Sequence, residues 1–200
     1  DKRRETVLHT IEELGKMTPE LRNRIENCWD PVELEDIYLP YKPKRKTRAS
    51  IAREKGLEPL ATAIYEQRKQ DAEHLAQMFL TVEVPTVELA LQGARDIIAE
   101  WISEDEQVRQ KVRYAFRKGA QISSKLVRGK EEEAAKYQDY FAFSEPLKHC
   151  PSHRLLAMRR GEDEGFLRLS IEPDNEEVLN RLEHHLLRGH GEATMQVKEA

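Results

Sequence analysis

Thr86-Val-Glu-Leu-Ala-Leu-Gln-Gly-Ala-Arg-Asp-Ile-Ile-Ala-Glu-Trp-Ile-Ser-Glu-Asp-Glu106 decides the fold class. Val87, Leu91, Ala94, Ile98 and Trp101 recur at spacings of three and four, which puts an apolar stripe along one side of a long helix. Thr86 stands in front of it as an N-cap. Ser103-Glu-Asp-Glu106 reads as a capping box that opens a second helix through Val108, Val112, Ala115 and Phe116, stopped by Gly119. Acids begin that helix, and Arg117 and Lys118 end it, as the helix dipole favours. Two amphipathic helices at a tight junction predict a helix-turn-helix-like lobe. The acidic start of the second helix would repel phosphates where such a module normally reads bases.

Upstream the same period continues. Val7, Leu8, Ile11 and Leu14 share a face ahead of Gly15, Thr18-Pro19 caps and opens a helix through Ile25 and Cys28, and Asp30-Pro31 opens a third. Ser50 is expected to cap a short helical turn before Gly56. Leu60, Ala61 and Ile64, then Leu75, Met78 and Phe79, continue the helical spacing. Trp29, Trp101, Phe79 and Phe116 fall on apolar faces and are expected in the core. Downstream the period changes. Gln121–Arg128 and Gly165–Ile171 alternate like strands; between them Glu131–Phe141 reads as a helix, or a helix and turn, and Ser152–Arg160 as a short helix. The expectation is a mainly α, multi-lobed chain with a small two-stranded β element. It divides into a helical segment over 1–56, the helix-turn-helix-like lobe over 57–119 and a mixed α/β segment over 120–200.

Composition bounds the class. Charged residues make up 35 % and hydrophobic ones 38 %, which suits a helical protein with much solvated surface. Nine glycines and nine prolines are too few for a turn-rich all-β fold. No apolar run reaches the roughly 18 residues of a membrane span, no signal segment is present, and the chain reads as an excised piece of something longer. Two cysteines, Cys28 and Cys150, cannot build a disulfide framework, so a reducing cytoplasm is the expected setting.

Against a formal charge of −4, the run Tyr38-Leu-Pro-Tyr-Lys-Pro-Lys-Arg-Lys-Thr-Arg48 is locally basic: Lys42 to Lys55 holds seven Lys/Arg and a single acid, Glu54. Pro40 and Pro43 stiffen its entry, and Tyr38 and Tyr41 offer flat rings for stacking. A second run from Arg113 to Lys130 contains Arg113, Arg117, Lys118, Lys125, Arg128 and Lys130 with no acid. Such clusters give salt-dependent, sequence-blind affinity for phosphates; alternatively each is a solvated face balanced by neighbouring acids such as Glu131-Glu-Glu133. Lys42, Lys44, Arg45, Lys46, Arg48 and Arg53 form the first candidate contact, and Arg117, Lys118, Lys125 and Arg128 the second. Tyr137, Tyr140, Phe141 and Phe143 either stack bases or, the preferred reading, tie the strands to the helices.

The proline-basic run, followed by Ile51-Ala-Arg-Glu-Lys-Gly-Leu-Glu-Pro-Leu-Ala61, resembles the N-terminal region of the Tex family of bacterial transcription accessory proteins. Gly129-Lys-Glu-Glu-Glu-Ala-Ala-Lys-Tyr-Gln-Asp-Tyr-Phe141, Glu145-Pro-Leu-Lys148, Pro151-Ser-His-Arg-Leu-Leu-Ala-Met-Arg-Arg-Gly161 and Glu164-Gly165 extend the resemblance in order, from about Asp30 to Ile171. It implies RNA or DNA and the transcription machinery, RNA polymerase included, as partners. It also implies a helix-turn-helix-like domain here, with nuclease-like, helix-hairpin-helix and S1 domains C-terminal to this region.

No catalytic constellation stands beside these signals: there is neither a phosphate-binding Gly-rich loop nor a Gly-x-Ser-x-Gly elbow. His149, Cys150 and His153 have ligand-like spacing, but no second pair follows, and the resemblance implies that Pro151-Ser-His-Arg154 is a structural turn with Ser152 capping the next helix, so no metal and no cofactor are expected. Two functions remain open. One is a non-enzymatic nucleic-acid contact; the other is a protein-interaction scaffold that docks RNA polymerase or the C-terminal domains of the same full-length protein.

Overall fold

The computed structural model describes residues 2–44, 46–68 and 71–200. Helices dominate, as expected. In chain order they are α1 (Lys2–Glu13), α2 (Pro19–Glu26), α3 (Pro31–Tyr38), α4 (Arg48–Glu54), α5 (Glu58–Tyr65), α6 (Ala72–Gln77), α7 (Val87–Glu104) and α8 (Glu106–Gly119). Strands β1 (Gln121–Leu126) and β2 (Ala142–Pro146) follow, then α9 (Ser152–Asp163), β3 (Leu167–Glu172), α10 (Asn175–Leu186) and α11 (Glu192–Glu199). None of the described helices is long and apolar enough to cross a membrane.

The starts of these helices follow from local chemistry. Thr18 accepts from the Leu21 N–H at 3.2 Å, Asp30 from Val32 at 2.8 Å, Asp71 from His74 at 2.9 Å and Thr86 from Leu89 at 3.3 Å, each satisfying an otherwise orphaned donor. Three expected caps differ. Thr47, not Ser50, caps α4, and Ser50 closes the box from the third helical position. Pro151 stands at the cap position of α9, with Ser152 already helical. Asp105, not Ser103, caps α8: α7 runs on through Glu104, so Asp105 is the first extended residue, and its carboxylate accepts from Val108 at 2.8 Å. That one-residue junction is shorter than the three- to four-residue turn of a helix-turn-helix module.

Residue contacts divide the chain into two compact units. One comprises the described residues of Asp1–Arg109 with Glu183–Ala200, the other Gln110–Leu182. The first holds two apolar clusters. Val7, Ile11, Ile25, Leu34, Ile37 and Tyr38 close the core of α1–α3. Leu57, Leu60, Ile64, Leu91, Ile97 and Ile98 build the larger core around α7, which α11 joins through Ala193 and Val197. Trp101 and Phe79 pack on that core, but Trp29 does not: it is 81 % exposed, with the Arg4 guanidinium 4.5 Å from its ring. The chain leaves helical geometry at Asn27, so the register that buries Ile25 no longer governs Trp29. Phe116, also expected inside, is 39 % exposed.

The second unit is built on an antiparallel sheet of order β2-β1-β3. The expected pairing of the 121 and 165 segments is present, from Gln121↔Glu172 to Leu126↔Leu167. A third strand, β2, adds to the other edge of β1, with Gln121↔Pro146 through Lys125↔Ala142. The segment over 131–141, expected as a helix or a helix and turn, is a set of turns and a short 3₁₀ helix, Ala135–Tyr140, leading into β2. Ala142-Phe-Ser-Glu-Pro is too short to declare itself by alternation; its order comes from the ladder to β1. One face of the sheet packs under α9. An added Cβ at Gly161 would sit 2.6 Å from the Leu167 Cδ1, so any larger residue here would force the Leu167 side chain to shift. Tyr137 is buried, its ring is 6.1 Å from that of Phe166, and Tyr140 meets Phe143 edge-on at 5.7 Å. These aromatics tie the unit's core together.

Candidate nucleic-acid interface

The first basic run is partly consumed by its own fold. Lys44 and Arg53 converge on the Glu100 carboxylate of α7, at 2.9 and 2.7 Å, and the Thr47 hydroxyl adds a third donor at 3.2 Å. Lys44 also pairs with Glu104, and Arg53 with Glu58 at 3.2 Å. Glu100 is only 11 % exposed. Burial alone would raise its pKa, but the hydrogen bonds from Lys44 and Arg53 outweigh that and hold it below the ordinary carboxylate range. These two cations therefore fasten the arm to α7. Lys46 reaches Glu54 only at 3.7 Å with both side chains mostly in water, a pairing worth little. Lys42 and Arg48 are exposed, and among the described residues no carboxylate lies within 4.0 Å of either. Arg45 lies outside the described residues.

The tyrosines at the entry of the arm divide. Tyr38 is 6 % exposed within the α1–α3 core, with the Arg3 guanidinium 5.3 Å from its ring centre, so a base would find that ring already covered. Tyr41 packs half-buried on the same cluster.

The second run lies in the sheet-based unit. Arg117 and Lys118 end α8 and, with Ala120, Pro146, Leu147 and Lys148, line a hollow of about 150 Å³. Lys118 has a distant partner, Glu177 at 3.9 Å, with both side chains more than half exposed. Lys125 projects from β1, and Arg128 occupies the turn that follows, where Gly129 takes φ +80°. Among the described residues no carboxylate lies within 4.0 Å of Arg117, Lys125 or Arg128. Lys130, at the end of the run, is neutralised by Glu133 at 2.9 Å. The two runs belong to different compact units.

Sequence reasoning missed Arg168. It sits directly across from Lys125 on β3, is exposed, and has no ion-pair partner among the described residues. An isolated arginine inside Leu167–Glu172 gives no cluster signal; only the register brings it to the basic run.

Among the described residues no group of three His, Cys, Asp or Glu side chains is placed to hold a metal ion. The Cys150 thiol donates to the Pro151 carbonyl at 3.8 Å. Burial, then the Glu145 carboxylate, push its thiol pKa up.

Comparison with known proteins gives these surfaces a setting. The model for Tex central region-like domains matches residues 67–199. Transcriptional accessory protein Tex of Neisseria gonorrhoeae is 41 % identical over 186 residues, covering 92 % of this chain and 25 % of that protein. Protein YhgF of Escherichia coli is 46 % identical over 176 residues, 87 % of this chain and 23 % of that protein. The human S1 RNA-binding domain-containing protein 1 is 29 % identical over 176 residues, 83 % and 17 % of the two chains. The chain thus spans about a quarter of the length of the bacterial relatives it matches. With the family model covering most of its residues, the chain belongs to the Tex family.

Proposed function

We propose that this chain is a non-catalytic nucleic-acid docking region of a transcription accessory protein, holding an RNA or DNA backbone through exposed basic surface. The observation that carries this reading is a set of exposed cations with no carboxylate within 4.0 Å among the described residues, in a chain of net negative charge: Lys42 and Arg48 on the arm, Arg117, Lys125 and Arg128 in the sheet unit. Exposed Lys and Arg without a close carboxylate attract phosphates and gain affinity by releasing the counterions around the nucleic acid. Two relatives, a transcriptional accessory protein and an S1 RNA-binding domain-containing protein, carry names that agree with this setting. Recognition is then of the backbone rather than of sequence.

Equilibrium binding of the 200-residue chain to labelled single-stranded RNA, single-stranded DNA and duplex DNA at low salt tests the reading. Saturable binding to at least one of them is expected; a folded chain that binds none at about 50 mM salt, where electrostatic contacts are strong, refutes it.

A second reading draws on the Lys44–Glu100–Arg53 knot. A basic arm fastened to α7 serves as well to build a rigid scaffold that docks RNA polymerase or the remainder of a longer Tex-family polypeptide. The same binding series separates the two, because a scaffold of this kind needs no affinity for free oligonucleotides.

A further inference from the structure

The outer face of the sheet carries an arrangement that stability alone does not favour. Side chains alternate along each strand, so Ile122 and Ser124 point to the core under α9, while Gln121, Ser123 and Lys125 point away from it. The ladders fix what stands beside them: Ser144 on β2 and Ser170 on β3 flank Ser123, and Arg168 flanks Lys125. The face therefore presents a row of three hydroxyls across the sheet, Ser144-Ser123-Ser170, with two like charges in the adjacent row.

The ladder geometry sharpens this. The Val127 N–H donates to Phe166 O at 2.9 Å, and the Leu126 N–H to Phe141 O at 3.0 Å. Alternation from those bonds makes Ser123/Ser144 a pair without mutual backbone bonds, in which side chains approach most closely. Their hydroxyls indeed lie 3.1 Å apart. Lys125 and Arg168 stand directly opposite, with Cβ atoms about 5 Å apart. Like charges in that relation destabilise a sheet, and among the described residues neither has a carboxylate within 4.0 Å to offset the repulsion. The acid on this face, Glu172, lies beside Gln121, four residues along β1 from Lys125, roughly 13 Å away. Its carboxylate accepts from the Asn175 amide at 3.4 Å.

We infer that this outer sheet face is a docking surface for the phosphodiester backbone of a nucleic acid, with Lys125 and Arg168 bracketing phosphate charge and the Ser123, Ser144 and Ser170 hydroxyls donating to phosphate oxygens. The inference rests on the nucleic-acid reading above and assigns it a place. Hydroxyls and guanidinium or ammonium groups are the side chains that bind backbone phosphates. A polyanion cancels the Lys125–Arg168 repulsion, so the bound state relieves what the free sheet bears. The row lies on β1 and its two partners, a rigid platform rather than a mobile loop. Arg128 is exposed in the turn just beyond β1.

The test uses the full chain and three variants, Lys125→Glu, Arg168→Glu and Ser123→Ala/Ser170→Ala, each checked for thermal unfolding and for binding to labelled single-stranded RNA and DNA across a salt series. Lys125→Glu converts the like pair into an attractive one. Its melting temperature is expected to hold or rise while affinity falls at least tenfold, a combination that misfolding cannot produce. Arg168→Glu is expected to do the same, and each reversal to lower the salt slope by about one. The serine variant is expected to lose two- to tenfold at unchanged slope. Should the parent chain bind while both charge reversals bind as it does, the sheet face is overturned and the broader docking reading survives on other cations. Should the folded parent bind nothing, both fall together. Affinity loss accompanied by a drop in melting temperature for both reversals contradicts the proposal, because it would mean the pair was structural.

Discussion

Replacing Glu100 with glutamine probes the point where fold and charge meet. Glu100 accepts from Lys44 at 2.9 Å and Arg53 at 2.7 Å, bonds that charge on both partners strengthens. Hydrogen bonds to charged groups contribute about 1.5–3 kcal/mol each. Here Lys44 is 30 % and Arg53 27 % exposed, and each keeps a second carboxylate, Glu104 and Glu58. Water and those partners take up part of the loss, and glutamine retains an accepting oxygen, so Glu100→Gln is expected to cost about 1–2 kcal/mol. For a chain of this size that corresponds to roughly 2–8 °C in melting temperature. Urea unfolding at unchanged m-value is the assay. A change below about 0.3 kcal/mol, or a gain, would refute the view that this knot secures the arm; ion pairs replaced by uncharged groups do sometimes gain stability. The same substitution relieves two cations of a carboxylate, so under the docking reading it raises oligonucleotide affinity while lowering stability.

Acid sensitivity follows from the same group. Because hydrogen bonds lower the folded-state pKa of Glu100, its contribution is present above the ordinary carboxylate value and is lost as pH falls through the depressed one. Stability of the parent should therefore drop more steeply in that acid range than stability of Glu100→Gln, as urea midpoints at successive pH values would show. Gly161→Ala should destabilise the sheet unit by about 1 kcal/mol, since overpacking against Leu167 (about 1–3 kcal/mol) exceeds the helix-propensity gain of up to 1 kcal/mol; chemical unfolding reads it, and a stabilised variant would contradict the close approach. Asp105→Ala removes the carboxylate that caps α8 at Val108 and should cost about 1 kcal/mol, with Asp105→Asn recovering most of it. Ile98→Ala, in the core around α7, should cost about 2–5 kcal/mol, whereas Trp29→Ala, at 81 % exposure, should cost far less.

Helix content was legible because its signals are local: apolar spacing along α7, and Thr18, Asp30 and Thr86 each ahead of a run that needs a cap. The cap of α8 was misread because Ser103 and Asp105 both carry suitable oxygens, and only the length of α7 decides between them. β2 escaped notice because a five-residue edge strand ending in proline has no stability apart from β1. The basic runs themselves could be read from composition, but their meaning could not. Whether a lysine faces solvent or a buried carboxylate depends on residues 47 to 60 positions away, as with Lys44 and Arg53 meeting Glu100 and Glu104. Conversely, the Lys125–Arg168 pair is set by strand register over 43 residues, invisible to any window along the chain.

The most direct measurement of the central claim is the salt dependence of oligonucleotide affinity for the unmodified chain. If exposed Lys and Arg dock three to five phosphates, log K falls linearly with log salt, with a slope of about −2 to −4 for a single strand. A slope near zero, or a folded chain with no measurable affinity even at low salt, would contradict the account.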